Sequence, residues 1–394
     1  MPGPGFDLIG DEEIAEVVEV LRGGWIYRYG QEDNPHFKAK VWSFEQAMAQ
    51  QAGVKYAVAV NSGSTALWIA LLGLGIGPGD EVIVPGFTFI ASISAIIYAR
   101  AVPVLAEIDR TFNLDPADVE RKITPRTKAI MIVHMMGNLA RMDELKAIAD
   151  RRGLLLLEDC AQVFGASYHG QPVGSMGQAG AFSFNYANVI TGGEGGAIVT
   201  DDEALYKRFF ALHDQGHAPL RKGREVGLRP FTGLDFRMTE LQGALLLAQL
   251  RKVGYIRTHL HANKKLFKSV ISDLPGLEFR ELPDPQGECA TLLTVIFPSA
   301  EIARRVVGEV GGKLLCDSGW HVYNNMEPLL EKRVPIERGC PFHSDSYPTE
   351  VKYYPGMLPQ TDDLLARSFN IGIGMQDKAL ATYGLTIHAT PPQV

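Results

Sequence analysis

Three turns in this chain carry residues whose types could contact a phosphate or pair with a protonated ring nitrogen, and each also has a plainer structural use. The run Asn61-Ser-Gly-Ser-Thr65 follows an apolar stretch and precedes a helix-like one. Small residues there let the backbone come close to a ligand, and free amides at a helix start attract phosphate. A plain Ser or Thr cap explains the same letters. The pair Glu158-Asp159 ends a second apolar run. A carboxylate in that place must find a partner, because burying it unpaired is costly. A protonated heteroaromatic nitrogen is one such partner, and capping a helix is another use. Ser183 ends Gly180-Ala-Phe-Ser and is followed by the glycine-dense Gly192-Gly-Glu-Gly-Gly196. That pattern suits a second phosphate contact, or a glycine-rich hairpin.

The elements around these turns alternate. Strands are expected at Tyr56 to Val60, Val82 to Val84, Val102 to Ile108, Ala129 to His134, Leu154 to Leu157 and Ala197 to Thr200. Helices are expected at Ala66 to Leu74, Ile90 to Tyr98 and Met142 to Arg152. Alternation of this kind gives an α/β fold with a mostly parallel sheet flanked by helices. Unbroken apolar runs such as Ile130 to Val133 fit strands covered on both faces. Ligands of such sheets sit beyond the carboxyl ends of the strands, where the three turns fall. Nearer the N-terminus, Asp11 reads as a helix cap, with Ile14, Val17, Val18 and Leu21 on one face and Gly23-Gly24 as the stop. Past Leu250 the pattern changes: a long helix from Tyr255 to Leu274, strands over Thr291 to Phe297 and a helix from Ala300 to Val310. A large domain over 1–250 and a smaller α+β domain over 251–394 follow from that change.

Composition narrows the function. With 38 basic against 45 acidic residues, the net charge of −7 leaves no surplus for a nucleic-acid backbone. No apolar stretch is long enough to span a bilayer, and the first residues carry no secretory signal. Cys160, Cys289, Cys316 and Cys340 lack metal-ligand spacing and are expected as thiols in a cytoplasmic protein. His213 and His217 have the spacing of zinc ligands on a helix, but no third ligand follows and Gly216 ends the helix, so no metal is expected. Lys264-Lys265 is expected on a solvated helix face, His259 and His261 in water, and Arg221 to Glu225 in an exposed loop. Trp320-His-Val-Tyr-Asn-Asn325 offers aromatic and amide groups suited to sugar hydroxyls, or to packing between domains.

Taken together, Asn61-Ser-Gly-Ser-Thr-Ala-Leu67, Val84-Pro-Gly-Phe-Thr-Phe-Ile-Ala91, Glu158-Asp-Cys-Ala-Gln162, Phe182-Ser-Phe184, Gly193-Glu-Gly-Gly196 and Phe236-Arg-Met-Thr-Glu240 resemble the DegT/DnrJ/EryC1/StrS sugar aminotransferases. Val133 to Asn138, Arg141 to Lys146 and Asp214 to His217 look most like the 8-amino-3,8-dideoxy-manno-octulosonate transaminases within it. The resemblance implies a fold-type-I transferase working as a homodimer, with pyridoxal 5'-phosphate or pyridoxamine 5'-phosphate as cofactor. It implies a keto-sugar substrate, nucleotide-linked or an octulosonate, and an amino donor such as glutamate. Gly63 and Ser64 would bind the cofactor phosphate through their amides, with Ser183 adding a hydrogen bond. Phe89 would stack on the ring, Asp159 would pair with its nitrogen, and Gln162 would lie near its hydroxyl.

Two positions depart from the family pattern. Asn188 stands where the family has its Schiff-base lysine, and no lysine occurs between Val173 and Leu205. An amide can neither form an imine nor carry a proton at neutral pH. Asn188 is then a replaced lysine in an otherwise intact aminotransferase, the mark of a lysine-free pyridoxamine-phosphate enzyme similar to sugar 3-dehydratases, or the mark of a non-catalytic cofactor-binding protein. His134, His217 and His321 are candidate bases for the second case. Asp235 stands where many members place an asparagine that reaches the phosphate from the neighbouring subunit. Its charge would repel the phosphate unless a cation such as Arg237 intervenes.

Overall fold

The computed structural model describes residues 2–31, 33–219, 229–336, 340–342 and 344–375. Its first part alternates strands and helices. The strands are β1 Tyr56–Val60, β2 Glu81–Pro85, β3 Val102–Ala106, β4 Thr127–Val133, β5 Leu155–Asp159, the short pair β6 Ser167–Tyr168 and β7 Gln171–Pro172, β8 Ala179–Ser183 and β9 Gly196–Thr200. The helices are α1 Asp11–Gly23, α2 Lys40–Ala52, α3 Gly63–Gly73, α4 Ile90–Tyr98, α5 Pro116–Lys122, α6 Met142–Arg152, α7 Glu203–His213, α8 Glu240–Arg251 and α9 Val253–Ile271. The remainder holds β10 Glu278–Phe279, β11 Leu292–Ile296, α10 Ala300–Glu309, α11 Glu327–Leu330, α12 Pro359–Ala366 and β12 Ser368–Gly372.

The main sheet has the order β1-β9-β8-β5-β4-β2-β3. Strands β8, β5, β4, β2 and β3 pair in parallel, while β9 runs antiparallel to both β1 and β8. All strands but β9 therefore point one way. Val60, Pro85, Asp159 and Ser183 end on one edge, and Gly196 starts β9 on that same edge. Alternate residues of β4 enter different cores: Ala129, Met131 and Val133 face one hydrophobic cluster, Ile130 and Ile132 the other. Covering each such Ile, Val or Met contributes about 1.5–3 kcal/mol, so the double cover is what holds the sheet. Helix α3 is apolar nearly all round because it lies between the sheet, α4 and α7. Strands β10-β11-β12 make a separate antiparallel sheet. The chain between β11 and β12 returns to the main sheet: Phe342, Tyr347, Tyr353 and Leu358 join the cluster that Met131 faces.

Helix α1 departs from the expected pattern. Gly10, not Asp11, is its N-cap, and the Glu13 side chain accepts from the Gly10 amide at 2.9 Å. Its buried residues are Glu13 and Val20, while Ile14 and Leu21 are exposed. Glu13 turns inward because Lys252 and Gln249 of the α8 end meet its carboxylate. That meeting rotates the apolar stripe outward. Among the described residues no helix is long and apolar enough to cross a membrane.

Candidate active site

The edge at the strand ends gathers the sequence-distant turns. Ser62 is extended and caps α3, its Oγ accepting from the Thr65 amide at 3.1 Å. Gly63 and Ser64 are therefore the first two residues of the helix, with amides that have no partner one turn back. A Cβ on Gly63 would stand 2.5 Å from Ser183 Cβ and 2.9 Å from its Oγ. The β1–α3 turn and the end of β8 thus form one corner, joined through Gly196, which pairs with both Val60 and Ser183. Asn188 lies on the loop beyond it. Its Nδ2 donates to the Ser183 carbonyl at 2.9 Å, tying the amide back to the strand end.

Asp159 ends β5, is 5% exposed and accepts from Ser92 Oγ at 2.8 Å and the Ala161 amide at 3.1 Å. Among the described residues no cation pairs with it. Desolvation raises its pKa above the ordinary carboxylate value, and these two bonds only partly offset that. The neighbouring Glu158 has the opposite fate. It accepts from the amides of Gly174 (2.8 Å), Met176 and Gly177 (both 2.7 Å), and faces His134 Nε2 at 3.4 Å. One carboxylate of the pair braces the fold, and the other makes only the two bonds to Ser92 and Ala161.

Phe89 caps α4 and is 44% exposed. The segment after Gly319 meets it: the Thr88 amide donates to the His321 carbonyl and the Tyr323 amide to the Gly86 carbonyl, both at 3.0 Å. This bridge sets the His321 ring 5.2 Å from the Phe89 ring. Burial holds the His321 imidazole below its ordinary pKa. Within Trp320–Asn325 the roles divide. Tyr323 and Asn324 are bound to Asp362 and Asn325 to the Cys316 carbonyl, whereas Trp320 stays exposed. Gln162 follows Asp159, and its Oε1 accepts from the Met136 amide at 2.7 Å.

Asp235 does meet the cation anticipated for it. Arg237 donates to Asp235 and to buried Asp214, each at 2.5 Å. Sequence patterns did not predict what lies behind this pair. Tyr29 donates to Asp214, and fully buried Arg28 donates to Glu45 at 2.9 Å and to His213 Nε2 at 3.0 Å. His213 Nδ1 donates to the Phe210 carbonyl at 2.6 Å, and burial beside Arg28 pushes its pKa down to about 3. His217 faces Asp214 at 3.3 Å and Arg229 at 3.1 Å. The only clue in the letters was the density of polar residues in Tyr27-Arg-Tyr29 and His213-Asp-Gln-Gly-His217.

Several expectations are corrected. His134 is not an available base: it is fully buried, with Nδ1 accepting from the Ala140 amide at 3.2 Å and Nε2 on Glu158. His134, Glu158 and Cys160 bring ligating atoms within 4.8 Å of one another, but Glu158 is already saturated by amides. Lys264 does not lie on a solvated face; it is 7% exposed and bonded to both Glu288 oxygens, because α9 turns that side toward β11. His261 and His259 are bonded to the carbonyls of Glu288 and Tyr255. Arg221 to Glu225 lie outside the described residues.

Residues 7–312 match the DegT/DnrJ/EryC1/StrS aminotransferase family. The chain is 44% identical over 251 residues to the GDP-perosamine synthase of Caulobacter vibrioides, a stretch covering 64% of each chain. It is 37% identical over 308 residues to the L-glutamine:2-deoxy-scyllo-inosose aminotransferase of Streptomyces paromomycinus, covering 75% of this chain and 72% of that one. The crystal structure of an aminotransferase from Psychrobacter cryohalolentis superposes with a TM-score of 0.78 at 29% identity, covering 95% and 93% of the two chains. With the fold, the strand-end site and the match over most of its length in agreement, the chain belongs to the DegT/DnrJ/EryC1/StrS aminotransferase family.

Proposed function

We propose that this protein binds pyridoxal 5'-phosphate or pyridoxamine 5'-phosphate and aminates a keto-sugar in amino-sugar biosynthesis. The observation that carries this is Asp159: a buried carboxylate at a strand end, in contact with donors but, among the described residues, with no cation. A pyridinium nitrogen is the partner it lacks. The corner of Gly63, Ser64 and Ser183 fits the phosphate, since a Cβ at 63 would fill it. When bound, the ring supplies an electron sink for a carbon losing a proton.

The chain's own residues then have separate tasks. Asp159 keeps the ring nitrogen protonated, Phe89 covers one face of the ring, and Gln162 meets the ring hydroxyl. The α3 amides and Ser183 hold the phosphate and fix the orientation. Arg237 neutralises Asp235 on the phosphate side. Asn188, bonded to the Ser183 carbonyl, can occupy space but cannot move a proton. His321, beside Phe89, is the imidazole placed to do so.

The relatives' names favour a nucleotide-linked hexose or a cyclitol ketone as acceptor, and glutamine or glutamate as donor. An octulosonate is the narrower alternative. We further propose a homodimer, because Ile14 and Leu21 of α1 stand exposed, and a cytoplasmic location, since all four cysteines are free. The two domains divide near Leu250. Asn188 favours a second reading, a lysine-free pyridoxamine-phosphate enzyme of the dehydratase kind or a non-catalytic binder.

Single-turnover chemistry decides. Protein loaded with pyridoxamine 5'-phosphate is mixed with a panel of nucleotide-linked keto-sugars, and products are identified by mass. An amino sugar supports the aminotransferase, a deoxysugar the dehydratase, and tight cofactor binding without product the binder. Asn188→Lys should create covalent, borohydride-reducible attachment of pyridoxal 5'-phosphate. Such attachment in the unaltered protein would contradict this account of the site.

A further inference from the structure

Arg280 follows β10 and is 5% exposed. Its Nη1 donates to Thr294 Oγ1 at 3.2 Å, and its Nη2 donates to the carbonyls of Met135 (3.2 Å) and Met136 (3.1 Å). Among the described residues no carboxylate forms an ion pair with it, and its Nε has no hydrogen-bond partner. Glu288, the acid that acts on it through space, is held by Lys264. A guanidinium withdrawn from water and satisfied mainly by neutral oxygens is an expensive placement. Folding stability alone gives no reason to retain it.

What Arg280 holds is the turn after β4. Met136 lies there at φ 55, a left-handed conformation that a methionine adopts only under constraint, and Gly137 follows at φ 75. The Met135 amide donates to Asn113 Oδ1 at 2.7 Å. The Met136 amide, turned outward by its φ, donates to Gln162 Oε1 at 2.7 Å. Because that oxygen is engaged by an N–H, the identity of the two ends of the Gln162 amide is fixed. The end left over is the NH2, which can only donate.

We propose that Arg280 is a positioning residue: by clamping the 135–137 turn from the C-terminal part of the chain, it holds Gln162 with its NH2 directed to the cofactor's ring oxygen. A donor there favours the ionised form of the ring hydroxyl. This inference rests on the cofactor reading above. It assigns to the β10 end a part in tuning the cofactor that neither Arg280's type nor its place in the sequence announces.

The test uses the full chain, Arg280→Met, Arg280→Lys, Gln162→Leu and the double variant Arg280→Met/Gln162→Leu, with pyridoxamine 5'-phosphate as probe. Two quantities are read: hydrogen exchange at the Met136 amide without cofactor, and the absorption maximum of the bound cofactor at one neutral pH. The expected result is faster Met136 exchange in Arg280→Met. Its bound cofactor should absorb at shorter wavelength, as in Gln162→Leu, because the hydroxyl regains its proton. The double variant should shift no further than either single one. Arg280→Lys, which keeps the charge but not the fork, should fall between, and it carries the test if Arg280→Met does not fold. An unchanged spectrum with a loosened turn would overturn the proposal, as would additive shifts. Failure of the unaltered protein to bind the probe at all would overturn the cofactor reading, and this inference with it.

Discussion

Gly63 and Ser183, separated by most of the main sheet's chain, stand so close that a methyl group on one would overlap the other, at 2.5 Å from Ser183 Cβ. The contact exists because β9 runs backward between β1 and β8 and brings their ends to the same level. Gly63→Ala must therefore push the two turns apart. Overpacking of this kind costs about 1–3 kcal/mol, and here the strain falls on the corner proposed to hold the phosphate. Binding of pyridoxamine 5'-phosphate should weaken by about tenfold or more (one factor of ten is about 1.4 kcal/mol), while binding of unphosphorylated pyridoxamine changes little. Titration calorimetry with both compounds checks the difference.

Asp159 gives a test that separates folding from binding. Its pKa is raised by burial, so the folded apoprotein holds its proton more tightly than the unfolded chain does. The stability from this group is present at low pH and is lost as pH rises through the raised value. Asp159→Asn removes the penalty. The apo variant should equal or exceed the parent in urea denaturation near neutral pH, and the gap should shrink toward the ordinary carboxylate range. Cofactor affinity should move the other way, falling by about tenfold or more, as expected for losing a charged hydrogen bond worth about 1.5–3 kcal/mol.

His213 predicts an acid limb. Its pKa is held at about 3 against an ordinary 6.5, chiefly by burial. Between those values the unfolded chain binds a proton that the folded protein refuses. Stability contributed by the neutral ring is complete above 6.5 and lost as pH falls toward 3, at a limiting slope of about 1.4 kcal/mol per pH unit. In His213→Gln, where no proton is taken up, the urea midpoint should fall less steeply between pH 6 and 4 (about two units of the window). An unchanged slope would mean that His213 is protonated in the fold.

The outward stripe of α1 supports a test of assembly. Ile14 and Leu21 are 57% and 55% exposed, and in the proposed homodimer charges placed there would be buried by the partner subunit. Ile14→Asp with Leu21→Asp should convert the proposed homodimer to a monomer in light scattering, without loss of helix content in circular dichroism. A monomeric parent would contradict the homodimer.

Much of this molecule is legible in its letters. The continuous apolar runs of β4 and β5 fit strands covered on both faces, and the helices expected over Ile90 to Tyr98 and Met142 to Arg152 form over those residues. The small residues at 61–65, Asp159 and Ser183 are facts of the sequence, the family resemblance follows from the order of the segments that hold them, and Asn188 is a departure from it that the letters also show. Tertiary structure decided which candidates meet. Local pattern carries no information about contacts between separate elements, so it could not tell that Glu158 would be spent on three backbone amides while Asp159 met no cation among the described residues. Nor could it show that Lys264 would be drawn inside by Glu288, that Arg28 and His213 would close a buried network, or that Arg280 would reach the turn beside Gln162. Those outcomes depend on desolvation and geometry at each place, and both exist only once the chain has packed.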